Sequence, residues 1–387
     1  MSQEENIGST APKRDPSSIE AKRIEITPRP RVIMCGPHLD AQTGISSVVK
    51  TWLASGFRDH VDLTYIATLR HYVPGQRFRK FAQGMQSYYR FAMSENNDGI
   101  ISHIHFSTGM SFWRKLIIFR IAKIKRHRTI IHMHAPEFEQ FFAKSNWFKK
   151  SQIRGFFRDA DILIVLSREW KELCARICPE ANIRILNNGV DIKRFSGRTG
   201  HGDRVNIVMM GRLGERKGTY DLVRAFSSLA SENPNLHLIL GGDGDVTELR
   251  SLVKAHSLTE RVDILGWVSG AKQIDVFRSA DIYALPSYHE GFPGSILEAM
   301  SIGLPIVATP VGGVPELVRP GENGFLIEPG NVFEIENALR NLAGDPALRN
   351  KMGRESRRQA LEFFDARKKL AELLRIYSEL QKRNISA

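Results

Sequence analysis

The stretch Val205-Asn-Ile-Val-Met-Met-Gly-Arg-Leu-Gly-Glu-Arg-Lys-Gly218 places a short run of β-type residues directly before a turn rich in glycine and positive charge. Helical periodicity follows this turn in the sequence. A strand, a glycine-marked turn and a helix form the repeating unit of parallel α/β proteins. The stretch therefore predicts one such unit, with its strand ending where the charged turn begins.

The same pattern recurs through the second half of the chain. Five further β-type runs are each followed by a glycine- or proline-marked turn and a helix signal, at residues 236–240, 262–265, 282–285, 305–308 and 324–327. Six strand–helix units are enough for a complete doubly wound domain. The first half shows the pattern less clearly, with candidate strands that include residues 32–35, 130–133 and 162–166.

The length of 387 residues predicts about two domains. A polar, glycine-rich segment at residues 196–203 reads as the linker between them. We therefore expect one domain over residues 30–198 and another over 199–365, with helical spacing in the tail from residue 366. Residues 1–29 are rich in serine, proline and charge and are expected to be a disordered tail.

The overall composition is that of a soluble globular protein, with 42% hydrophobic and 25% charged residues. The sequence shows neither a run of about 18 apolar residues nor a secretory signal, and we expect a cytoplasmic location. Cys174 and Cys178 are four residues apart on a predicted helix, and Cys35 lies far from both. Without His or Cys partners at metal-site spacing, they are expected to be reduced thiols, and no metal site is predicted.

Positive charge is concentrated in the first half of the chain. Residues 1–200 carry a formal charge of +14 and residues 201–387 a charge of −1, for a total of +13. The densest segment, Ser111 to Arg128, interleaves seven cations with bulky apolar residues. One interpretation is a helix with a buried face and a solvated basic face, and another is a surface that rests on anionic lipid head groups. Nucleic acid is the third, and since no binding motif accompanies the charge we expect none to bind.

Two carboxylates, Glu290 and Glu298, flank the predicted start of a helix in Ser287-Tyr-His-Glu-Gly-Phe-Pro-Gly-Ser-Ile-Leu-Glu298. Pro293 suits a first helical position because it has no N–H to leave unpaired there. The free N–H groups around Gly294 and Ser295 can hold a phosphate at the positive end of the helix dipole. Because carboxylates repel phosphate, they are better suited to binding hydroxyl groups. A sugar nucleotide has both phosphate and hydroxyl groups.

Other turns after predicted strands offer further contacts to such a ligand. Arg212 supplies a planar fork and Lys217 a point charge, which suits a diphosphate, although solvated turn charges would explain both equally well. The glycine cluster around Gly242 could approach a nucleotide closely. Trp267 and Val268 could flank a base, although Trp267 is as easily explained by packing.

In the first half, Thr43 and Gly44 are placed at the start of a helix that follows the first strand, where they could face a phosphate. This turn lacks the G-x-G-x-x-G pattern, which argues against a nicotinamide cofactor. Strand alternation allows His134, or His132, to point into a cleft. The segment 188–191, Asn-Gly-Val-Asp, reads as a turn without chemistry.

Together these motifs resemble the retaining glycosyltransferases of family 4, which have the GT-B fold, two Rossmann-like doubly wound domains that face each other across a cleft. The resemblance runs from about residue 31 to the C-terminal helix. It rests on Gly44, Ser167, 188–191, 211–213 with 217–218, 241–244, 266–268, 286–287, Glu290 with Glu298 (the E-x7-E motif) and 309–316. One departure is Thr43-Gly44, where many relatives have paired glycines, which weakens the expectation of a backbone contact to diphosphate there.

The resemblance implies a role for each matching residue. Arg212 and Lys217 would stabilise the leaving nucleoside diphosphate in place of a metal ion, Glu290 would bind the transferred sugar, and His134 would lie near the reacting carbon. Donor-binding residues would be Glu298 at the ribose, with Phe292, Gly294, Ser295, Ile296, Gly44, Trp267, Val268 and Gly242 completing the contacts. It also implies that the helix of residues 366–387 packs back on the first domain, which would hold the acceptor.

The expected activity is a metal-independent, retaining transfer of a hexose-type sugar from a nucleotide sugar, with no separate cofactor. Uridine is the expected base from family habit alone. The basic first half suggests a lipid-linked or membrane-surface glycan acceptor, as in bacterial surface-polysaccharide assembly, with the enzyme peripheral on the inner face of the membrane. Transfer to a soluble sugar is the alternative, and a non-catalytic lipid-binding module of the same fold is another. A sugar-nucleotide epimerase would not require Arg212, Lys217, Glu290 and Glu298.

Overall fold

The computed structural model describes residues 29–68, 77–96, 98–199 and 204–382. The tail predicted at residues 1–29 therefore lies, apart from Arg29, outside the described residues. Each half of the chain folds around its own six-stranded parallel sheet with helices on both faces.

The first sheet has the strand order β2-β1-β3-β4-β5-β6, with every pair parallel. Its strands are β1 (Arg31–Gly36), β2 (Asp62–Ala67), β3 (Ile100–Phe106), β4 (Arg128–Met133), β5 (Ile162–Val165) and β6 (Ile183–Ile185). The central strands β3, β4 and β5 are buried almost throughout, as expected of parallel strands covered on both faces. Strands β1, β4 and β5 match predicted strands, and the other three were not predicted.

The second sheet has the order β12-β11-β10-β7-β8-β9, again all parallel. Its strands are β7 (Val205–Met210), β8 (Leu236–Gly241), β9 (Val262–Gly266), β10 (Ile282–Leu285), β11 (Ile306–Ala308) and β12 (Gly324–Leu326). All six coincide with predicted strands to within two residues at each end. Counted within the domain, the order is the 3-2-1-4-5-6 of doubly wound nucleotide-binding domains. The predicted fold, with two such domains, is confirmed.

Helices connect the strands and cover the sheets. They are α1 (Gly44–Ala54), α2 (Phe57–His60), α3 (Arg77–Ala92), α4 (Met110–Ile124), α5 (Phe138–Ala143), α6 (Trp147–Arg158), α7 (Arg168–Ile177), α8 (Thr219–Glu232), α9 (Val246–Ala255), α10 (Gly270–Arg278), α11 (Gly294–Ile302), α12 (Val332–Gly344), α13 (Pro346–Phe363) and α14 (Ala366–Lys382). Side chains cap several of them, such as Ser167, which accepts from the Trp170 N–H at the start of α7. In the described parts of the chain, no helix combines the length and the apolar character needed to span a bilayer.

The last helix, α14, covers the first sheet although it follows the second domain in sequence. Its Leu370, Leu373, Leu374 and Tyr377 are buried against Trp52 of α1 and the apolar side chains of one face of that sheet. These leucines and the tyrosine recur at the three- and four-residue spacing of a helix with one apolar face. The first domain is thus assembled from two separate pieces of chain.

The chain passes between the domains twice, and the two passages touch. Val190 forms a parallel bridge with Asp365, through hydrogen bonds from the Val190 N–H to the Phe364 carbonyl and from the Ala366 N–H to the Val190 carbonyl. A side chain at Gly189 would lie 2.8 Å from the Ala366 Cα, so only glycine allows this approach. The domains are therefore joined at one compact crossing point.

The strand orders determine where a ligand can bind. In the first sheet the order reverses between β1 and β3, and in the second between β7 and β10. Doubly wound sheets bind ligands outside the carboxyl ends of the strands at such a reversal. The loops after β7 and β10 contain residues 211–218 and 286–293, which are the segments that the sequence singled out.

Candidate functional site

The centre of the site is an ion pair between the loops after β7 and β10. Lys217 Nζ lies 2.5 Å from Glu290 Oε1, and the Ser287 hydroxyl donates to the same oxygen at 2.6 Å. The side chains of Lys217 and Glu290 are only 12% and 7% exposed. An ion pair so far from bulk water adds little net stability, because desolvating both charges offsets their attraction. It does hold both groups in fixed positions at the carboxyl edge of the sheet.

Tight backbone contacts between the two loops bring this pair together. Gly218 has a left-handed φ of 66°, and a Cβ there would lie 2.0 Å from the Pro286 carbonyl oxygen. Arg216 reinforces the contact, since its carbonyl accepts from the Tyr288 N–H and its Nη1 donates to the His289 carbonyl. Glycine at position 218 is therefore required for the loops to meet.

Arg212 and Gly242 lie beside the Lys217–Glu290 pair but differ from it in exposure and in hydrogen bonding. The Arg212 side chain is exposed, so its guanidinium is free to turn toward a ligand in the cleft. Gly242 has a φ of 155°, and a Cβ there would overlap the Gly211 carbonyl oxygen at 1.6 Å. The Gly242 N–H donates to the Gly266 carbonyl at 2.7 Å, so this amide is already occupied. Gly242 thus serves the packing of neighbouring loops.

Helix α11 begins one residue later than the sequence suggested. Pro293 is its N-cap, with φ −69° and ψ 116°, rather than its first helical residue. The first three helical positions are therefore Gly294, Ser295 and Ile296, whose N–H groups lie in the first turn and have no partner within the helix. Space around Gly294 is open, and the Ser295 hydroxyl bonds to Tyr283. Anion binding at this helix start stays a prediction.

Glu298 lies one turn further along α11, and its environment differs from that of Glu290. Burial raises the pKa of Glu298 to about 8, with Arg194 and the hydrogen bond from Gln273 opposing the shift. Gln273 Nε2, on α10, donates to Glu298 Oε2 at 3.0 Å. Near neutral pH this carboxyl is therefore mostly protonated until something stabilises its charge.

The remaining predicted donor contacts are spread over the second domain. Phe292 is buried, and its carbonyl accepts from Asn188 Nδ2 of the preceding domain at 2.8 Å. Val268 is buried against Gly241, whereas Trp267 is 47% exposed. Trp267 is therefore free to lie against a flat group, while Phe292 and Val268 offer backbone groups rather than side chains.

On the first domain, Gly44 and His134 lie at the carboxyl edge of the sheet. Gly44 is the first residue of α1, after the N-cap Thr43, and space for a ligand is open beside it. His134 follows β4 directly, and its side chain is half-buried. His132, which the sequence left as an alternative, points to the same face but is fully buried. Only His134 can therefore meet a ligand in the cleft.

Three buried histidines, His103, His105 and His132, place one ring nitrogen each within 4.8 Å of one another. Both ring nitrogens of His103 are already engaged, one with the Tyr377 hydroxyl at 2.6 Å and one with His132 Nδ1 at 3.1 Å. A metal ion would have to break these bonds to bind all three residues. The arrangement therefore fits a hydrogen-bonded cluster better than a metal site.

The two domains face each other across a cleft of about 440 Å³. It is lined by residues from α5, α7 and the loops after β4, β10 and β11, among them Glu137, Glu139, Glu169, Tyr288, His289 and Glu290. Contacts bridge the domains beside it, since Glu316 Oε1 accepts from the Arg168 N–H at 2.6 Å and Glu316 Oε2 from Asn187 Nδ2 at 3.3 Å. The cleft is rich in carboxylates, which accept hydrogen bonds from hydroxyl groups.

Several residues of the site were not foreseen. Ser287 and Asn188 belonged to recognised motifs but had no role assigned, and neither spacing nor residue type indicated the bonds they make. Gln273 lies on a surface helix without a motif, so no signal in the sequence pointed to its bond with Glu298. His103 and His105 alternate with apolar residues in β3, which marks a strand face but not a cluster.

Two family models match consecutive parts of the chain. The model described as Glycosyltransferase Family 4 matches residues 49–194, and the model described as Glycosyl transferases group 1 matches residues 191–359. Their boundary falls in the passage between the two domains. The chain belongs to the family 4 type of glycosyltransferases. The resemblance inferred from the motifs is confirmed at this level.

Relatives of this glycosyltransferase include proteins of bacterial polysaccharide synthesis. It is 28% identical over 210 residues to a putative colanic acid biosynthesis glycosyltransferase of Salmonella typhimurium, covering 52% of this chain and 48% of that protein. It is 29% identical over 235 residues to the Escherichia coli UDP-Gal:alpha-D-GlcNAc-diphosphoundecaprenol alpha-1,3-galactosyltransferase, covering 56% of this chain and 60% of that protein. The matches thus span about half the length of these relatives.

Solved structures resemble the glycosyltransferase over most of its length. The sucrose-phosphate synthase from Thermosynechococcus elongatus covers 91% of this chain and 99% of that one, with a TM-score of 0.77 and 19% identity. Anabaena Alr3699/HepE in complex with UDP-glucose covers 89% and 99%, with a TM-score of 0.70 and 20% identity. At these identities the likeness establishes the shared fold.

Proposed function

We propose that the protein is a retaining hexosyltransferase that moves a sugar from a nucleotide-sugar donor to a glycan acceptor without a metal ion. The observation that carries this proposal is the Lys217–Glu290 pair with Ser287. It joins a cation suited to a leaving diphosphate and a carboxylate suited to a sugar, 73 residues apart in sequence, at the strand reversal of the second sheet.

The pair explains how one site can bind both parts of a sugar nucleotide. Lys217 Nζ has three N–H donors, and its bond to Glu290 uses one, leaving the others for diphosphate oxygens. The first-turn amides of α11 add neutral donors for the same anion. Arg212 closes on it from the exposed side. Fixed positive charge around a leaving group typically gives the largest single contribution to catalysis.

In the proposed reaction the bond between the sugar C1 and the diphosphate oxygen breaks as the acceptor oxygen bonds to C1 on the same face. The acceptor proton passes to the leaving diphosphate, so charge and atoms balance. Glu290 holds the transferred sugar by its hydroxyls, and His134 approaches it from the first domain. Glu298 receives the ribose hydroxyls of a nucleotide, with uridine as our proposed base.

We place the acceptor sugar in the carboxylate-lined cleft between the domains. Glu137, Glu139 and Glu169 are exposed there and suit a unit rich in hydroxyls. Anabaena Alr3699/HepE in complex with UDP-glucose shares the fold, and a relative acts on a diphosphoundecaprenol-linked sugar by its name. These likenesses support a UDP-sugar donor and a lipid-linked acceptor for this chain. The cytoplasmic face of the membrane, expected from the sequence, is the location we propose for the enzyme.

The structure changes which residues we propose for membrane contact. Five of the seven cations between Ser111 and Arg128 make contacts within the domain: Lys115 with Thr68, Arg120 with Gln152, Lys123 and Arg128 with Asp161, and Lys125 with the Ser94 carbonyl. This favours the interpretation of α4 as a structural helix with a partly solvated basic face.

A better candidate for membrane contact is the start of α6. Trp147 and Phe148 are 81% and 53% exposed and adjacent, and the exposed Lys144 and Lys149 flank them. Since α6 returns from the carboxyl edge of the sheet to the start of β5, its first turn lies at the cleft edge of the domain. Aromatic and basic side chains together suit the interface of an anionic membrane.

The donor proposal is tested by measuring the unfolding temperature with UDP, GDP, ADP and their common sugars. A donor that binds the folded state at 100 times its Kd adds about 2.7 kcal/mol of apparent stability. Proton NMR of the slow hydrolysis of that donor then gives the anomer first formed, which should keep the configuration of the donor, with EDTA present. An inverted anomer would overturn the retaining mechanism, and stabilisation by no nucleotide would favour the non-catalytic module.

The membrane proposal has its own test, in which vesicle flotation needs no knowledge of donor or acceptor. Wild type should float with anionic phosphatidylglycerol vesicles but not with phosphatidylcholine vesicles. The double change Trp147→Ser and Phe148→Ser should abolish flotation, while Phe333→Ser, at a 68% exposed position of the second domain, should not. Absence of wild-type binding would favour a soluble sugar acceptor.

A further inference from the structure

Four histidines form a cluster on one face of the first sheet, next to the cleft. His103 and His105 alternate along β3, His132 lies on β4 opposite His105, and His134 follows β4. Neighbouring rings lie 4.3 to 5.3 Å apart between centroids. Trp52 of α1 covers three of the rings, and of the four histidines only His134 is partly exposed, two residues before the cleft-lining Pro136.

The cluster divides into two hydrogen-bonded groups. The inner group runs from Tyr377 through His103 to His132, and the outer group is the single bond between His105 Nδ1 and His134 Nε2, 3.0 Å long. His105 is therefore the residue that anchors the ring of His134. The other nitrogen of His134, Nδ1, makes no hydrogen bond to any residue that the structure describes.

All four rings are expected to be uncharged. Burial lowers the pKa of His103 to about 3 and also lowers those of His105, His132 and His134, with neighbouring histidines adding to the shift for His103, His105 and His132. A neutral imidazole has one N–H donor and one acceptor nitrogen. One proton therefore lies between His105 and His134, and the residue that carries it determines what His134 shows to the cleft.

The unpaired Nε2 of His105 decides between the two arrangements. This atom is buried and has no partner among the described residues. If His134 donated to His105, the His105 proton would be on Nε2, as a buried donor without an acceptor. If His105 donates from Nδ1, its Nε2 is only an unused acceptor. Unpaired buried donors are the rarer of the two in folded proteins.

We propose that His105 is a positioning residue that donates from Nδ1 to His134 Nε2, so that His134 presents Nδ1–H to the cleft as a hydrogen-bond donor for a sugar hydroxyl. The fixed proton gives His134 one orientation and one role. The inference rests on the proposed function only in assigning the sugar as the partner of His134. The bond and the tautomer are properties of the protein alone.

The test compares three variants by nitrogen-15 NMR of histidine-labelled protein. In wild type the His134 signals should show protonated Nδ1 and unprotonated Nε2. His105→Phe should abolish this fixed pattern, whereas His105→Asn, whose amide can donate from nearly the place of Nδ1, should preserve it. His103→Phe is the matched control, because it removes a buried ring of the same strand that is not bonded to His134.

Turnover of the donor identified by thermal shift is the second readout. His105→Phe should lower kcat about tenfold, the size of one hydrogen bond, with unchanged nucleotide affinity, and His105→Asn and His103→Phe should stay near wild type. A His134 protonated on Nε2 in wild type, or a tautomer unaltered by His105→Phe, would overturn the proposal. If the tautomer changes but kcat does not, the positioning role holds and the proposed role of His134 in transfer fails.

Discussion

Glu290 and Glu298 lie eight positions apart in the sequence, and their carboxyl groups have different partners. Glu290 has a cation and a hydroxyl on one oxygen, and these two contacts fix its position. Glu298 has a neutral amide partner, and burial raises its pKa to about 8. A ligand that binds Glu290 must therefore share that carboxylate with Lys217. A ligand that binds Glu298 must supply hydrogen-bond donors that stabilise its charged form.

The site cations give a first prediction. Lys217→Ala and Arg212→Ala should each lower kcat by roughly 10²–10³-fold, the effect of removing one donor to developing charge. Only Lys217→Ala should also lower stability, because it leaves the buried Glu290 carboxylate unpaired, whereas Arg212 is exposed. Donor turnover and thermal unfolding measure the two effects. Lys254→Ala on α9 is the exposed control, and turnover near wild type in either site variant would contradict the leaving-group role.

The raised pKa of Glu298 gives a prediction about pH. If ribose hydroxyls bind the ionised form, binding at pH 7 must release a proton, and affinity should rise about tenfold from pH 7 to pH 8.5 and level off above that. Calorimetry in buffers of different ionisation enthalpy measures the proton release. Glu298→Gln should bind more weakly and lose the pH dependence with little change in kcat, and a loss confined to kcat would refute this role.

The sequence predicted the charged residues of the site better than their partners. Arg212, Lys217, Glu290 and Glu298 belong to motifs whose order along the chain is informative. Gln273 and Ser287 act through side-chain bonds formed by folding, and nothing in residue type distinguishes them from surface or turn residues. Gly242 as a donor contact stays a prediction, and its own amide already donates to the carbonyl of Gly266 at the end of β9.

At the scale of elements, α14 completes a domain that it does not follow in sequence. Leu373→Ala should cost about 2–5 kcal/mol, because the side chain is fully buried against the first sheet. Leu361→Ala, at a 44% exposed position of α13, should change stability little. Denaturant unfolding monitored by the fluorescence of Trp52 in each variant would locate the loss of stability in the first domain. Equal effects of Leu373→Ala and Leu361→Ala would contradict this packing.

The strands of the second domain were easier to predict from the sequence than strand β3 of the first. The second-domain strands are short apolar runs bounded by glycine or proline, and all six were predicted. Strand β3 is buried throughout, yet its His103 and His105 alternate with Ile104 and Phe106 as in a half-exposed strand, and Ser102 adds a third polar side chain. Hydrogen bonds to His127, Tyr377 and His134 give each of these side chains at least one partner, while Nε2 of His105 has none among the described residues. Such compensation depends on residues far along the chain.

At the scale of the molecule, Glu316 joins the domains by accepting from the first N–H of α7. Glu316→Ala should loosen this contact by about 1 kcal/mol, the value of a helix cap, and speed amide exchange in the first turn of α7 about fivefold. Hydrogen exchange with mass spectrometry measures the effect, and small-angle scattering should show a more open molecule. Glu322→Ala is the control, since the Glu322 carboxylate pairs with Arg319 of its own turn. Unchanged exchange would show that other contacts hold the cleft.

The return of α14 to the first domain also bears on the order of events during synthesis. Chains leave the ribosome from the N-terminus, and domains usually fold in that order. Here the first six strands must wait, with one apolar face uncovered, until residues 366–382 have emerged. The second domain is continuous in sequence and can close its core earlier. This protein should therefore complete its first domain last, and a chain released after residue 365 would have a folded second domain and an incomplete first.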